Sequence, residues 1–320
     1  RNDWSSTLPA DNASYFYPSV GLSFLPTALL PVNLDWLDYI KLRANWAQVG
    51  NTAAPYQLVQ TYTAGIGWAG NPMYQAGNVY PPTNLKPEIT TSKEIGLNAQ
   101  LFRKRLSFDV TMYQSNSRNQ ILSVQVPYST GYSSQKVNAG NIQNKGVEVG
   151  ISGTPLKRKN FSWDMGLNWS KNTNKVLELA PGITLYQIGG IWGVNSYAQE
   201  GGAYGDILGS AFLRNDAGDI VVDSRGIPKK DPVRRTLGNI MPDWAANFRT
   251  GLRYKDLSMN ILFDMRKGSS IYSLGHRYGT FSGVLAATAA GDVREKGIVF
   301  DGVTEDGKKN ETATEAQLFY

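Results

Sequence analysis

From Tyr39 onward every second residue is apolar: Ile40, Leu42, Ala44 and Trp46 fall on one side, while Lys41, Arg43 and Asn45 fall on the other. Successive side chains of a strand point to opposite faces, whereas a helix brings together residues three and four apart. The spacing therefore excludes an amphipathic helix and predicts a strand. The pattern recurs. Ile95, Leu97, Ala99 and Leu101 oppose Asn98 and Gln100, and Leu106, Phe108, Val110 and Met112 oppose Ser107, Asp109 and Thr111. Only Phe102 to Arg105 separates these runs, which predicts a tight hairpin.

A second hairpin is expected where Val147, Val149 and Ile151 lead through Lys157-Arg158-Lys159-Asn160 into Phe161, Trp163, Met165, Leu167 and Trp169. A third joins Trp244, Ala246, Phe248 and Leu252 through Tyr254-Lys255-Asp256 to Leu257, Met259, Ile261, Phe263 and Met265. An earlier strand over Ser14 to Phe24 completes a set of about eight. The connections alternate in length. Those near 103–104, 157–160 and 255–256 are short, and those near 50–91, 116–145, 172–242 and 267–320 are long.

Alternating runs of about ten residues have the length that a tilted strand needs to cross a bilayer. A half-buried sheet in a soluble sandwich alternates too, so alternation by itself decides nothing. Loops trimmed on one side and long on the other, with Trp46, Trp169, Trp244 and Tyr254 near strand ends, favour the membrane reading. The fold class expected is all-β, a transmembrane antiparallel up-and-down barrel. Residues are 41% apolar and 18% charged, and no run of about 18 apolar residues exists, which excludes a spanning helix. The mean hydropathy of −0.32 suits a soluble protein and a barrel equally.

The net charge of +6 comes from scattered Lys and Arg rather than a stripe, which argues against a nucleic-acid surface. Zero cysteines remove thiolate chemistry and disulfides. There is no phosphate-binding Lys motif and no nucleophile elbow, and His276 is the single histidine, so an enzyme is not expected. Gly65-Ile66-Gly67-Trp68-Ala69-Gly70 matches the dinucleotide fingerprint in spacing only, because Asn71-Pro72 follows where a helix must start. Asp216-Ala217-Gly218-Asp219 reads as a turn rather than a calcium loop. No metal and no cofactor is expected. Trp68, Tyr74, Trp192, Tyr197 and Tyr204 in long loops, with His276, are the candidate ligand contacts, since an aromatic face stacks on a sugar ring or a peptide side chain. Packing within the loops is the competing role for each.

Several phrases carry a family resemblance: Ser14-Tyr15-Phe16-Tyr17-Pro18-Ser19, Leu42-Arg43-Ala44-Asn45-Trp46-Ala47-Gln48-Val49-Gly50-Asn51, Asn84-Leu85-Lys86-Pro87-Glu88 and Glu94-Ile95-Gly96-Leu97. Tyr128-Ser129-Thr130-Gly131-Tyr132 follows, then Asn138-Ala139-Gly140-Asn141-Ile142 leading into Asn144-Lys145-Gly146-Val147-Glu148, the most specific of them. Asn168-Trp169-Ser170-Lys171-Asn172, Met241-Pro242-Asp243-Trp244, Asp264-Met265-Arg266-Lys267-Gly268 and Phe300-Asp301-Gly302-Val303 continue the series. In this order they resemble the SusC/RagA-type TonB-linked outer-membrane transporters.

The resemblance implies a barrel of about 22 strands, of which residues 1–320 would be a C-terminal part without plug domain or closing strands. It implies import of oligosaccharides or peptides across the outer membrane of a Gram-negative bacterium. The implied partners are a SusD-like surface lipoprotein, the TonB complex acting through the plug, and outer-membrane lipid. A soluble β-rich glycan-binding module is the alternative. The basic turns at Arg103-Lys104-Arg105 and Lys157-Arg158-Lys159 are assigned to the periplasmic end.

Overall fold

The computed structural model describes residues 1–29, 34–191 and 194–319 of the 320-residue sequence. They form two compact units, one of residues 1–186, 198–204 and 242–268, the other of 187–197, 205–241 and 269–320.

The first unit is built on eight antiparallel strands: β1 (Ser19–Phe24), β2 (Leu37–Asn51), β3 (Glu88–Leu101), β4 (Leu106–Gln125), β5 (Ser134–Arg158), β6 (Phe161–Glu178), β7 (Trp244–Tyr254) and β8 (Leu257–Lys267). Each pairs with its neighbours in the chain, so the sheet is an up-and-down meander. The short strand Val79–Tyr80 adds to β5 in parallel. The sheet is open rather than closed on itself among the described residues.

The register carries the alternation across strands. Leu42 pairs with Leu97, Leu97 with Val110, Val110 with Val149, Val149 with Trp169, Trp169 with Ala246 and Ala246 with Met265. One residue along each strand, Lys41, Asn98, Asp109, Asn168, Asn247 and Asp264 form a polar row, with Gly150 of β5 between Asp109 and Asn168. A slip of one residue in any pair would put charge among the apolar side chains, so the two-faced pattern fixes the register.

The apolar face is not covered. Ile95 is 59% exposed, Met112 50% and Phe263 52%, and Phe108 and Leu167 are only partly buried. A packed cluster of this unit lies elsewhere: Leu8, Ala53 and Leu85, with Tyr15, Leu58 and Ile121 against them. A soluble sandwich would have reversed this, burying the strands' apolar side and wetting the other.

The structure corrects two expectations. The stretch 116–145 is mostly strand, since β4 runs to Gln125 and β5 starts at Ser134. These strands are 20 and 25 residues long, beyond the ten or so that bear alternation. Where both faces meet water or polar groups the period-two signal is lost, and sequence patterning cannot see the strand. The run Ser14 to Phe24 is two strands, Ser14–Phe16 and β1, broken at Tyr17-Pro18. Pro18 has no N–H to give to a ladder. Its carbonyl instead accepts from the Gln48 N–H at 2.9 Å, while Ser14–Phe16 pairs with Asn2–Trp4.

The second unit holds most of a four-stranded sheet ordered Leu185–Ile191, Val194–Gln199, Tyr204–Gly209 and Arg235–Asn239, together with the helix Leu274–Phe281. Tyr197, Ile207, Leu208, Val221 and Val222 are buried in it. Asp216 to Asp219 form the expected turn: Asn215 exchanges backbone hydrogen bonds with Gly218 and Asp219, and Gly218 sits at φ +91.

Candidate functional site

The polar face of the sheet concentrates charge at Arg43. Its Nη1 donates to Asn98 Oδ1 at 2.6 Å and to Asp109 Oδ2 at 3.2 Å, its Nη2 donates to Asp109 Oδ1 at 3.0 Å and to Thr111 Oγ1, and its Nε lies 3.4 Å from Glu94 Oε1. The Asn98 amide donates to Asp109 as well. Three strands thus supply one network around a planar cation whose fork matches the carboxylate.

Room for it comes from Gly96, opposite Arg43 on β3, where a Cβ would strike the guanidinium. The same device recurs at Gly146, beneath the Tyr113 ring, and at Gly166, beneath Arg249. The Tyr113 hydroxyl donates to Asn172 Oδ1 at 3.2 Å, and the Asn172 amide donates to Asn144 at 3.0 Å.

Beside the Arg43 network lies an open groove of about 520 Å³, lined among others by Asp109, Glu148, Asn168, Asn247, Asp264 and Arg266. Three carboxylates, two amides and one guanidinium make it a surface for hydroxyls, amides and cations. Among the described residues no cluster of His, Asp and Glu has the geometry of a metal site.

Aromatics bracket the apolar face. At the short-turn end Phe161 pairs with Tyr254, and the Trp163 indole N–H donates to Thr250 Oγ1 at 2.9 Å. Trp46, Trp169 and Trp244 stand about ten residues away along their strands, and ten tilted residues span roughly the 25 Å of a barrel's apolar band. Phe248 and Phe263 stack at 6.3 Å between the two belts.

The aromatic candidates stand on different elements of the two units. Trp68 and Tyr74, 76% and 68% exposed, share a hairpin made of Tyr62–Ala64 and Tyr74–Ala76, at whose tip Trp68 and Asn71 exchange backbone hydrogen bonds around Ala69 and Gly70. Both turn residues have positive φ, which is why a glycine stands at the second. Tyr197 is buried in the second unit, and its hydroxyl accepts from Arg234 at 2.6 Å and Asn195 at 3.2 Å. The Tyr204 N–H donates to Asn174 Oδ1 at 2.7 Å. His276 is exposed on the helix Leu274–Phe281, whose N-cap Ser273 accepts from its backbone N–H. Trp192 lies outside the described residues.

Sequence reasoning placed Arg43, Asn98 and Asp109 on the polar face but singled out none of them. The signal that gathers them is the pairing register, which brings residues up to 66 positions apart side by side.

The family model described as TonB dependent receptor-like, beta-barrel matches residues 1–300. The chain is 28% identical over 312 residues to TonB-dependent receptor P26 of Formosa agariphila, covering 87% of this chain and 30% of that protein. It is 29% identical over 196 residues to TonB-dependent receptor SusC of Bacteroides thetaiotaomicron, covering 57% of this chain and 19% of that one. The fold resembles a chain of the RagAB peptide transporter with a TM-score of 0.74 at 20% identity, over 99% of this chain and 36% of that one. The chain therefore spans about a third or less of the proteins it is similar to.

Proposed function

As the chain belongs to the TonB-dependent receptor β-barrel family, we propose that its eight-stranded sheet is one wall of an outer-membrane import conduit, and that the whole protein is a transporter rather than an enzyme. The observation that carries this reading is the pair of faces: an exposed apolar side bracketed by aromatics, and a polar side bearing the Arg43 network and the carboxylate groove. Hydrocarbon suits the first and a water-filled lumen the second. The short turns at 159–160 and 255–256 then face the periplasm, and the long strand extensions and loops face outward.

The exposed surface and the relatives support an oligosaccharide or peptide as cargo. Oligosaccharides and peptides both present hydroxyl or amide groups to the groove and stackable faces to Trp68 and Tyr74. A SusD-like lipoprotein sharing that recognition, and a TonB-type complex supplying energy through a plug, are the partners this reading requires.

The test uses the full-length transporter. Outer-membrane fractions run on gels with and without boiling should give a heat-modifiable band, and Trp68→Ala with Tyr74→Ala should lower uptake of a labelled oligosaccharide or peptide several-fold without altering that band. A protein that stays soluble, with no mobility shift, sinks the barrel reading. Uptake unchanged in the double variant sinks the role of the hairpin.

A further inference from the structure

At and beyond the far aromatic belt, where Trp46 pairs with Lys93, the apolar face changes character within two rows. Ile95, Met112 and Val147 are paired across β3, β4 and β5, with Lys171 of β6 opposite Val147. The next row in the same phase is Lys93, Gln114, Lys145 and Thr173, and the one after it Thr91, Asn116, Gln143 and Lys175. The side that faces hydrocarbon below thus carries four lysines above, on three strands of a four-strand stretch. Neighbouring strands lie about 4.8 Å apart, so the four fall within about 15 Å laterally.

The polar groups around them are satisfied by one another. Gln114 donates to Asn116 at 3.1 Å, Gln143 to Asn116 at 3.4 Å, and Asn116 to Asn141 at 3.2 Å. The lysines are different: Lys93, Lys145, Lys171 and Lys175 are all exposed, and none forms an ion pair among the described residues. The nearest carboxylates in sequence to Lys93 and Lys145 do not serve them, since Glu94 turns to Arg43 on the opposite face and Glu148 lines the groove there. Glu178, opposite Asn141 one row further on, forms no ion pair with them among the described residues, and like charges gathered without a paired carboxylate repel. An anionic partner removes the repulsion.

We propose that Lys93, Lys145, Lys171 and Lys175 form a binding site for the phosphate groups of an outer-leaflet lipid, at the level where the barrel's apolar band gives way to head groups. The site rests on the reading of the sheet as a barrel wall with its short turns in the periplasm. Its residues lie on paired strands in three successive rows of one face, so the lysines are held within about 13 Å of one another along the strands, and the aliphatic part of each stem continues the apolar band below.

The experiment takes the whole transporter, purified from outer membranes, and measures the lipopolysaccharide retained after a detergent wash. The variant K93Q/K145Q/K171Q/K175Q should retain at least about tenfold less than the wild type, since each lysine at an anionic surface adds roughly a factor of five. The charge-retaining variant with arginine at the same four positions should keep it. Neutralising the opposite end with K157Q/R158Q/K159Q should leave retention unchanged. If the fourfold glutamine variant gives no heat-modifiable band, K145Q/K171Q provides the same comparison with a smaller loss. Wild-type retention in the folded glutamine variant overturns the site, as does an equal loss in the turn variant. Orientation is read separately: Ser129→Cys, in the 126–133 loop between β4 and β5, should react with a membrane-impermeant maleimide on intact cells. Failure to label overturns the orientation and the site with it, whereas labelling with unchanged lipid retention overturns the site alone.

Discussion

Arg43 makes five polar contacts with four side chains from two neighbouring strands, and its own side chain is 23% exposed. Removing it leaves Asp109 and Thr111 facing a gap, and because Asp109 is still 46% exposed, water relieves much of the loss. Arg43→Ala should therefore destabilise the folded protein by about 1–2 kcal/mol, with Asp109→Asn costing less because it keeps an acceptor. Urea unfolding followed by loss of the heat-modifiable band measures both. Gly146 is held by a different constraint: any side chain there meets the ring of Tyr113. Gly146→Val should cost about 1–3 kcal/mol, and Tyr113→Ala in the same chain should recover part of it, which a double-mutant cycle reads directly. An additive result would show that the ring is not the obstacle. Neither residue's role was legible in the sequence. Arg43 was visible as one polar residue among alternating ones, and its partners depend on a register that no local pattern prints.

At the scale of elements, hairpin existence was legible and strand extent was not. The three short turns and the eight strands follow from alternation alone, because each strand's middle separates two media. The outer parts of β4 and β5 lack that contrast, and so 116–145 read as a loop. The contrast also makes a prediction. Leu167 and Asn168 are adjacent on β6 but pair into different rows, Leu167 with Ile151 and Phe248, Asn168 with Gly150 and Asn247. Leu167→Arg should cost roughly 2–4 kcal/mol or block membrane insertion, and Asn168→Arg should be tolerated. Equal effects at both positions would contradict the assignment of faces. The turns of the second unit carry a pH dependence instead. Backbone N–H groups of Ile227 and Arg225, and the Arg225 side chain, hold the Asp223 carboxyl below its ordinary 3.8. Lys308 and Thr304 bring Asp306 to about 2. A depressed carboxylate contributes stability above its unfolded value and loses it as pH falls through the folded one. Amide exchange at residues 223–227 and 304–308 should accordingly quicken as pH falls from about 4 toward 2, after correction for intrinsic rates. Asp306→Asn should remove that dependence from the 304–308 turn and leave the 223–227 turn unaffected.

For the whole molecule, family and fold class were legible because both are written in many weak, ordered signals spread over the chain. The candidate contacts were not, because loop aromatics serve packing and recognition alike: Trp68 and Tyr74 stand exposed, and Tyr197 is buried with its hydroxyl engaged. One dimension of the sheet bears on how such a protein meets its surroundings. The 25 residues of β5 extend over about 80 Å, which at a 45° tilt is a height near 58 Å, and the greasy belt occupies only about 25 Å of it. Because the hairpin turns close one side tightly, most of the surplus, roughly 30 Å, rises on the other as a stiff turret. On the proposed reading of the sheet as a barrel wall, a cargo reaching that crest would be met at a stand-off from the bilayer, without first burrowing through the layer of head groups.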